Sequence, residues 1–445
     1  MNPQPRVAII GGGWAGLACA LALRRLGPRL DVFESSPLWG GRARAARFRL
    51  AGEEVALDCG QHLLVGAYRD CLGAIEEFGP GVAGRLARRP LRLASPSGLE
   101  LRRRGLPGQL GLGVGLLLAR GMSLAEKLAA IRLLVGLRAS GWRPARGITT
   151  VSQLLEAYRQ PERLTRRLWE PLCVGALNTP AEEACAASFA AVLRDTLGGA
   201  GDASDLLLPQ APLSALLSDP ALQRLREAGA GLHASSPVAT LIGDDGRWRL
   251  ELRGARRRDC AQYDHVVIAT DAHAAASLAR GLDPSSARRL EAFRFAPIAT
   301  AWLAWRRHVA LPEAIMLDED REGGEPGQWL FDRGRQAGLR IAAVVVSARE
   351  RLADLDADAL GAACAAQASR QLGLPPADGV RVVTERRATW RCTADRPRLA
   401  IDALAGAAPG IWLAGDYLEA DYPATLESAI RCGRRVAERI GARLS

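Results

Sequence analysis

Three glycines, Gly11, Gly13 and Gly16, stand between a short apolar run at residues 7–10 and an Ala/Leu-rich stretch of helical character. Glu34 lies 18 residues beyond Gly16, directly after a second apolar run at 30–33. Strand, glycine turn, helix, strand and terminal acid within so short a segment leave room for one arrangement, a βαβ unit. Gly11 permits the tight turn, Gly13 lets backbone N–H groups approach a pyrophosphate, and Gly16 lets the helix pack closely on the sheet. Trp14 and Ala15 complete a helix N-terminus whose unpaired N–H groups and positive dipole end attract phosphate. Glu34 suits an adenosine ribose with a free 2′-hydroxyl rather than a 2′-phosphate. The segment is expected to bind a dinucleotide.

At 445 residues the chain exceeds one ordinary domain and suits two, interleaved in sequence. Hydrophobic residues make up 48% of it, enough for large cores, yet no apolar run reaches the roughly 18–20 residues that span a membrane. The apolar start could pass for a signal peptide, but the glycine turn marks it as the first structural unit, and a cytoplasmic location is expected. The net charge is +11, with Lys127 the only lysine among 59 basic residues. No basic patch interleaved with aromatics stands out, so a nucleic-acid partner is not expected, and an anionic membrane surface suits the excess charge better. Nine cysteines without any C-x-x-C pair give neither a zinc site nor a disulfide framework and fit a reducing compartment. Cys59 and Cys432 lie beside segments of interest and read as buried thiols.

Which dinucleotide is bound turns on two more elements, Gly40-Gly41-Arg42 and Gly415-Asp416-Tyr417. Together with the glycine turn they resemble the flavin enzymes of the amine oxidase and phytoene desaturase superfamily. The resemblance implies FAD, with Gly40, Gly41 and Arg42 at the pyrophosphate and Gly415 and Asp416 at the pyrophosphate or ribityl chain. It also implies that the backbone of Val238 meets adenine. The fold class that follows is α/β, a Rossmann-type FAD-binding domain assembled from discontinuous segments, with an inserted α+β substrate domain. Residues 1–80, 215–290 and 396–445 are assigned to the FAD-binding part. The insertions are 81–214, mostly helical by pattern, and 291–395, mixed. Runs at 237–241, 266–270 and 411–414 read as strands, the first two as buried ones.

Further segments narrow the family. Asp58-Cys59-Gly60-Gln61-His62 follows the arginine motif, Trp169-Glu170-Pro171-Leu172-Cys173 leads to Asn178-Thr179-Pro180, and Gly327-Gln328-Trp329 precedes Phe331-Asp332-Arg333-Gly334. This set resembles the squalene-associated FAD-dependent desaturases, the hydroxysqualene dehydroxylases of bacterial hopanoid synthesis, from about residue 6 to 440. The resemblance implies a reduction: an allylic hydroxyl leaves as water and hydride from reduced FAD takes its place. His62 is the first candidate near the reaction centre, as a proton donor near neutral pH or as a hydrogen-bonding prop. Gln61 would serve the flavin or the substrate hydroxyl. Asp421 and Tyr422 would face the same cavity or order the loop into the last helix. Trp169, Asn178, Trp329 and Asp332 are further candidates in the substrate domain, and His233, His265, His273 and His308 form no cluster for a metal.

Residues 105–119, apolar, glycine-rich and flanked by arginines, read as a patch dipping into a membrane or as a buried helix lining the substrate domain. Either suits a polyprenoid substrate, and the first gives peripheral contact with the inner face of the cytoplasmic membrane. An electron donor, not identified by the sequence, must reduce the flavin. An oxidative polyprenoid desaturase needs the same fold, so fold alone does not separate it from the reductive reading. An amine oxidase fits less well, because Lys127 sits in an apolar helical stretch. A lipid carrier without flavin would have no reason to hold Glu34, Arg42 and Asp416 together.

Overall fold

In the computed structural model, described for residues 4–105, 108–199, 201–254, 261–320, 323–348 and 356–444, two sheets carry the architecture. The first is parallel and five-stranded, in the order Gly231–His233, Arg29–Phe33, Arg6–Ile10, His265–Ile268 and Ile411–Leu413. Its strands come from three distant parts of the chain, as a discontinuous Rossmann-type domain requires. The inner strands are apolar runs because the sheet is covered by packed elements, helix Trp14–Leu23 on Arg6–Ile10 and Arg29–Phe33, and strand Arg247–Leu252 on His265–Ile268. Helix Trp14–Leu23 packs against the long C-terminal helix Leu426–Leu444, whose buried face includes Ile430, Val436 and Ile440.

The run at 237–241 departs from expectation. Val238–Asp244 is a strand, but it pairs antiparallel with Arg247–Leu252 in a separate hairpin. Only Leu241 of this strand is buried, so the apolar pattern marks a half-covered ribbon.

The second sheet also has five strands, ordered Ala314–Met316, Trp329–Gln336, Leu339–Ser347, Phe295–Trp305 and Gly379–Trp390, all antiparallel to their neighbours. Strand periodicity divides the functions of its two faces. Ala299, Ala301, Leu303 and Trp305 face a core shared with helix Ala357–Leu372. Trp302 and Ala304 point the other way, into a core with Leu50, Val55 and Leu57 of the hairpin Ala45–Asp58. That hairpin leads straight into Asp58-Cys59-Gly60-Gln61-His62, so the second sheet is the wall against which this segment is set. Helices dominate 108–196, among them Gly108–Leu117, Leu124–Ala139, Glu170–Leu177 and Ala186–Thr196. A π-helical turn, Thr165–Trp169, runs into Pro171, which has no N–H to continue an α-helical ladder.

Candidate active site

The first glycine turn is as tight as its sequence demands. A Cβ on Gly16 would lie 2.0 Å from the Gly11 carbonyl oxygen. Helix Trp14–Leu23 starts at Gly13 with no capping side chain and no acid in its first turn. Its first N–H groups are therefore suited to an anion. Glu34 is buried, with Oε2 accepting from the Gly12 N–H at 2.7 Å and Oε1 from the Ser36 N–H at 2.8 Å and the Ser35 hydroxyl at 3.1 Å. The carboxylate offers about four lone-pair sites, so it can fix the turn and still accept from a ribose hydroxyl. The Ser236 N–H donates to the Glu34 carbonyl at 2.8 Å, bringing the segment before Val238 alongside.

The second glycine motif closes on the first. The Gly40 N–H donates to the Gly12 carbonyl at 2.9 Å. Gly41 has φ +60°, and a Cβ there would stand 3.2 Å from the Gly13 Cα. Arg42 and Asp416, assigned from the sequence to separate parts of the cofactor, pair with each other: Nη2 and Oδ1 are 2.8 Å apart. Arg42 Nη1 also donates to the Ala388 carbonyl at 2.9 Å. Burial opposes the Arg42 charge, but Asp416, helped by Asp271 and Glu385, outweighs it and raises the pKa. Tyr417, directly after Asp416, is buried with its hydroxyl unpartnered, and burial pushes its pKa up.

His62 lies beside Arg42, whose backbone it meets, and Gln61 directly precedes it. The Gln61 N–H donates to Thr300 Oγ1 at 3.2 Å, and Gln61 Nε2 to the His62 carbonyl at 2.8 Å. Gln61 Oε1 and His62 Nε2 are both shielded from solvent and without a partner. Burial, reinforced by the charges of Arg333 and Arg42, lowers the His62 pKa to about 4, against a hydrogen bond with the Arg42 backbone that favours the charged form. Of the two readings given to His62, this environment favours the hydrogen-bonding prop, since it disfavours the charged imidazole and leaves a lone pair on offer. Asp421 and Tyr422 are not brought to this point. Asp421 is exposed. Tyr422 is buried under the Arg431 guanidinium, 5.1 Å from its ring centroid, and the charged groups around it are Asp195, Glu427, Arg431 and Arg194. Ordering the approach to the last helix accounts for both.

Contacts link the family-specific segments to one another. Asp58 and Arg333 form a buried pair, Oδ2 to Nη2 at 3.6 Å. Asp58 Oδ1 accepts from the Leu213 N–H at 2.8 Å, and Arg333 Nη1 donates to the Pro209 carbonyl at 3.0 Å. Burial raises the Asp58 pKa to about 6, opposed by that N–H and by Arg333. Trp329 Nε1 faces the helix Glu170–Leu177, where a Cβ on Gly175 would be 3.4 Å away. Asn178 ends that helix in the left-handed region and braces the second sheet, donating to Thr389 Oγ1 at 2.8 Å and the Ala296 carbonyl at 3.4 Å and accepting from the Ala348 N–H at 2.8 Å. Trp169 is fully buried and its Nε1 donates to Gln160 Oε1 at 2.9 Å. Asp332 holds its own turn through the Gly334 N–H and pairs with Arg340. Sequence reasoning gave Asp58, Arg333 and Asp271 no roles of their own. Asp271 carried a signal, an acid directly after the run 266–270, and it caps the next helix through the His273 and Ala274 N–H groups.

A family model for flavin containing amine oxidoreductases matches residues 14–441. The chain belongs to that family. As a member it is an FAD-dependent oxidoreductase, and the residues present fit the cofactor: an uncapped helix N-terminus, a buried acid beside it, and buried polar atoms of Gln61, His62 and Tyr417 awaiting partners. Two relatives named hydroxysqualene dehydroxylase align over 97% of this chain and 97% of their own, from Rhodopseudomonas palustris at 28% identity and Zymomonas mobilis at 26%. The solved structure of cyclohexylamine oxidase from Brevibacterium oxydans superposes with a TM-score of 0.68 over 99% of this chain and 100% of its own, at 18% identity, showing a shared fold. In this flavoprotein Cys59 and Cys432 are buried, burial raising the first thiol's pKa and pushing the second up to about 12, so neither is poised as a nucleophile. The described cysteines are all buried, and Cys260 lies outside the described residues.

Proposed function

We propose that this flavoprotein reduces hydroxysqualene to squalene, releasing water. The observation that carries the reading is the end-to-end match with relatives bearing that name, 97% of both lengths. The meeting of the family-specific segments on one wall supports it. When bound in its reduced form, FAD supplies the hydride. The reaction balances as R–OH plus a proton plus that hydride, giving R–H and water.

The chain's part is to bind, orient and keep the site dry. Gly11 to Gly16, Glu34 and the Val238 segment take the adenosine and phosphates, and Arg42 with Asp416 takes the middle of the cofactor. The packed core of Trp302, Phe331 and Leu208 backs Leu63, next to His62, and a dry site there would protect a carbon that becomes cationic as the hydroxyl leaves. The neutral His62 Nε2 and Gln61 Oε1 accept hydrogen bonds, which orients a hydroxyl or an N–H brought against them. His62 takes up a proton at Nε2 only when negative charge nearby offsets Arg333 and Arg42. The reductant of FAD is a separate partner.

An anaerobic single turnover tests this directly. Dithionite-reduced protein is mixed with hydroxysqualene, following flavin absorbance and analysing product by mass spectrometry. Reoxidation with one squalene formed per flavin is expected. Reduced flavin persisting beside unchanged hydroxysqualene sinks the proposal, and a carotenoid-type precursor offered to the oxidised protein is then the next substrate.

A further inference from the structure

Nine large hydrophobic side chains are strongly exposed among the described residues, and six of them lie on two consecutive helices. Gly108–Leu117 and the residue after it contribute Leu110, Leu117 and Leu118, while Leu124–Ala139 contributes Leu124, Leu128 and Val135. Leu110 and Leu124 are 70% and 71% exposed. A solvated helix ordinarily turns polar residues outward, so such side chains ask for a covering partner.

The second helix shows the design clearly. Its inward face is Ala129, Ala130, Leu133 and Leu137, all buried. Leu124, Leu128, Ile131 and Val135 follow one another at i, i+4, i+7 and i+11, a narrow stripe on the opposite side. Lys127 and Arg138 border the stripe on one flank and Arg132 on the other. Exposed Arg102 and Arg120 bracket the first helix. Between residues 101 and 139 there are seven basic side chains, of which Arg103 turns inward to pair with Asp205, and one acid, Glu126. That acid is buried in the other face, where it caps the helix through the Ser123 N–H and pairs with Arg163. The outer surface is thus apolar along its crest and cationic along its edges. Lys127 ties the two helices together, donating to the Leu117 carbonyl at 2.7 Å.

We propose that the outer face of these two helices is a membrane-docking surface whose partner is the headgroup–acyl boundary of an anionic bilayer. Charge decides between occupants. A second copy of the chain meeting this face about a twofold axis would set cationic edges against cationic edges. Anionic headgroups neutralise both edges while the leucines enter the acyl boundary. The sequence pointed to 105–119 alone, of which 106–107 lie outside the described residues; the second helix supplies half of the six exposed apolar side chains. The same helix is connected inward. Gln160 Nε2 donates to the Ala129 carbonyl at 2.8 Å while its Oε1 accepts from Trp169, just ahead of the helix that meets Trp329. The inference rests on the proposed function only in supplying a reason for the site, a substrate that dissolves in bilayers.

The test needs no substrate, so its outcome is independent of the reaction assigned. Full-length holoprotein is sedimented with vesicles of phosphatidylcholine alone and of phosphatidylcholine mixed with phosphatidylglycerol. Binding to the mixed vesicles is expected, weakening as sodium chloride is added, with neutral vesicles weaker by about fivefold for each basic residue in contact. Leu124→Ser combined with Leu128→Ser should lower binding at least about tenfold while leaving flavin content and Tm unchanged. Failure to pellet with the mixed vesicles overturns the proposal. So does unchanged binding by the double variant, or a dimer in sedimentation velocity that the same two substitutions dissolve and vesicles do not displace.

Discussion

The cofactor side and the wall around His62 hold their charges in opposite ways. On the cofactor side the charged groups are placed by turns and helix ends. Glu34 reaches Gly12 across 22 residues, and Asp416 partners an arginine that remains one-third exposed. On the wall, Asp58 and Arg333 are withdrawn from solvent on both sides, at 2% and 8% side-chain exposure. The first arrangement leaves charge available to a ligand. The second confines charge inside protein, where it sets the protonation of its neighbours, His62 above all. Recognition thus rests on turns and helix ends, while protonation control draws on burial and the wall arginine, with Arg42 contributing to both.

Breaking the wall pair should have the largest effect. Arg333→Ala leaves Asp58 buried without its cation and is expected to cost about 3 kcal/mol at pH 8. The cost should shrink at pH 5, where a carboxyl already raised to about 6 takes up a proton instead. Urea midpoints at the two pH values check this, and equal losses at both would show that Asp58 is not held charged by Arg333. On the cofactor side, Asp416→Ala should leave the fold intact and weaken FAD retention on the order of tenfold to a hundredfold, the scale of a charge-assisted hydrogen bond. Full flavin occupancy after gel filtration of that variant would remove Asp416 from the cofactor site.

The smallest effect sharpens the contrast. His62 has a folded pKa of about 4 against 6.5 unfolded, so between those values the unfolded chain binds more protons and His62 makes stability rise with pH. Asp58, at about 6 folded against 3.8 unfolded, has the opposite sign, and its contribution falls as pH rises through that window. His62→Gln removes only the first of these. Its Tm relative to the parent should therefore be higher at pH 5 than at pH 7, by a few degrees. Parallel Tm curves for the two proteins would mean that His62 titrates normally.

This division also explains what could be read from the chain. Gly11, Gly13, Gly16 and Glu34 are legible because a βαβ unit compresses their geometry into one short segment. Gly40-Gly41-Arg42 and Gly415-Asp416 were recognisable only as motifs, and that the arginine and the aspartate pair with each other is tertiary information. Gln61 meets Thr300 across 239 residues and Asn178 meets Thr389 across 211, contacts no local period encodes. The surroundings of Tyr422 were hidden for the same reason: its nearness to Asp416 in sequence says nothing of the Arg431 side chain that covers it. The lowered pKa of His62 was out of reach as well, because residue type sets the unperturbed value, whereas burial and two arginines shift it.

The latch between the two glycine loops has a consequence for how tightly the cofactor is held. Ordering a loop on binding costs about 1–2 kcal/mol for every residue whose backbone is fixed. Gly40, held by the Gly12 carbonyl, and Gly41, seated on Gly13, are fixed by the protein's own contacts. That ordering cost is met when the chain folds, so the attraction of the N–H groups and of Arg42 for a dinucleotide goes into affinity rather than into building the loop.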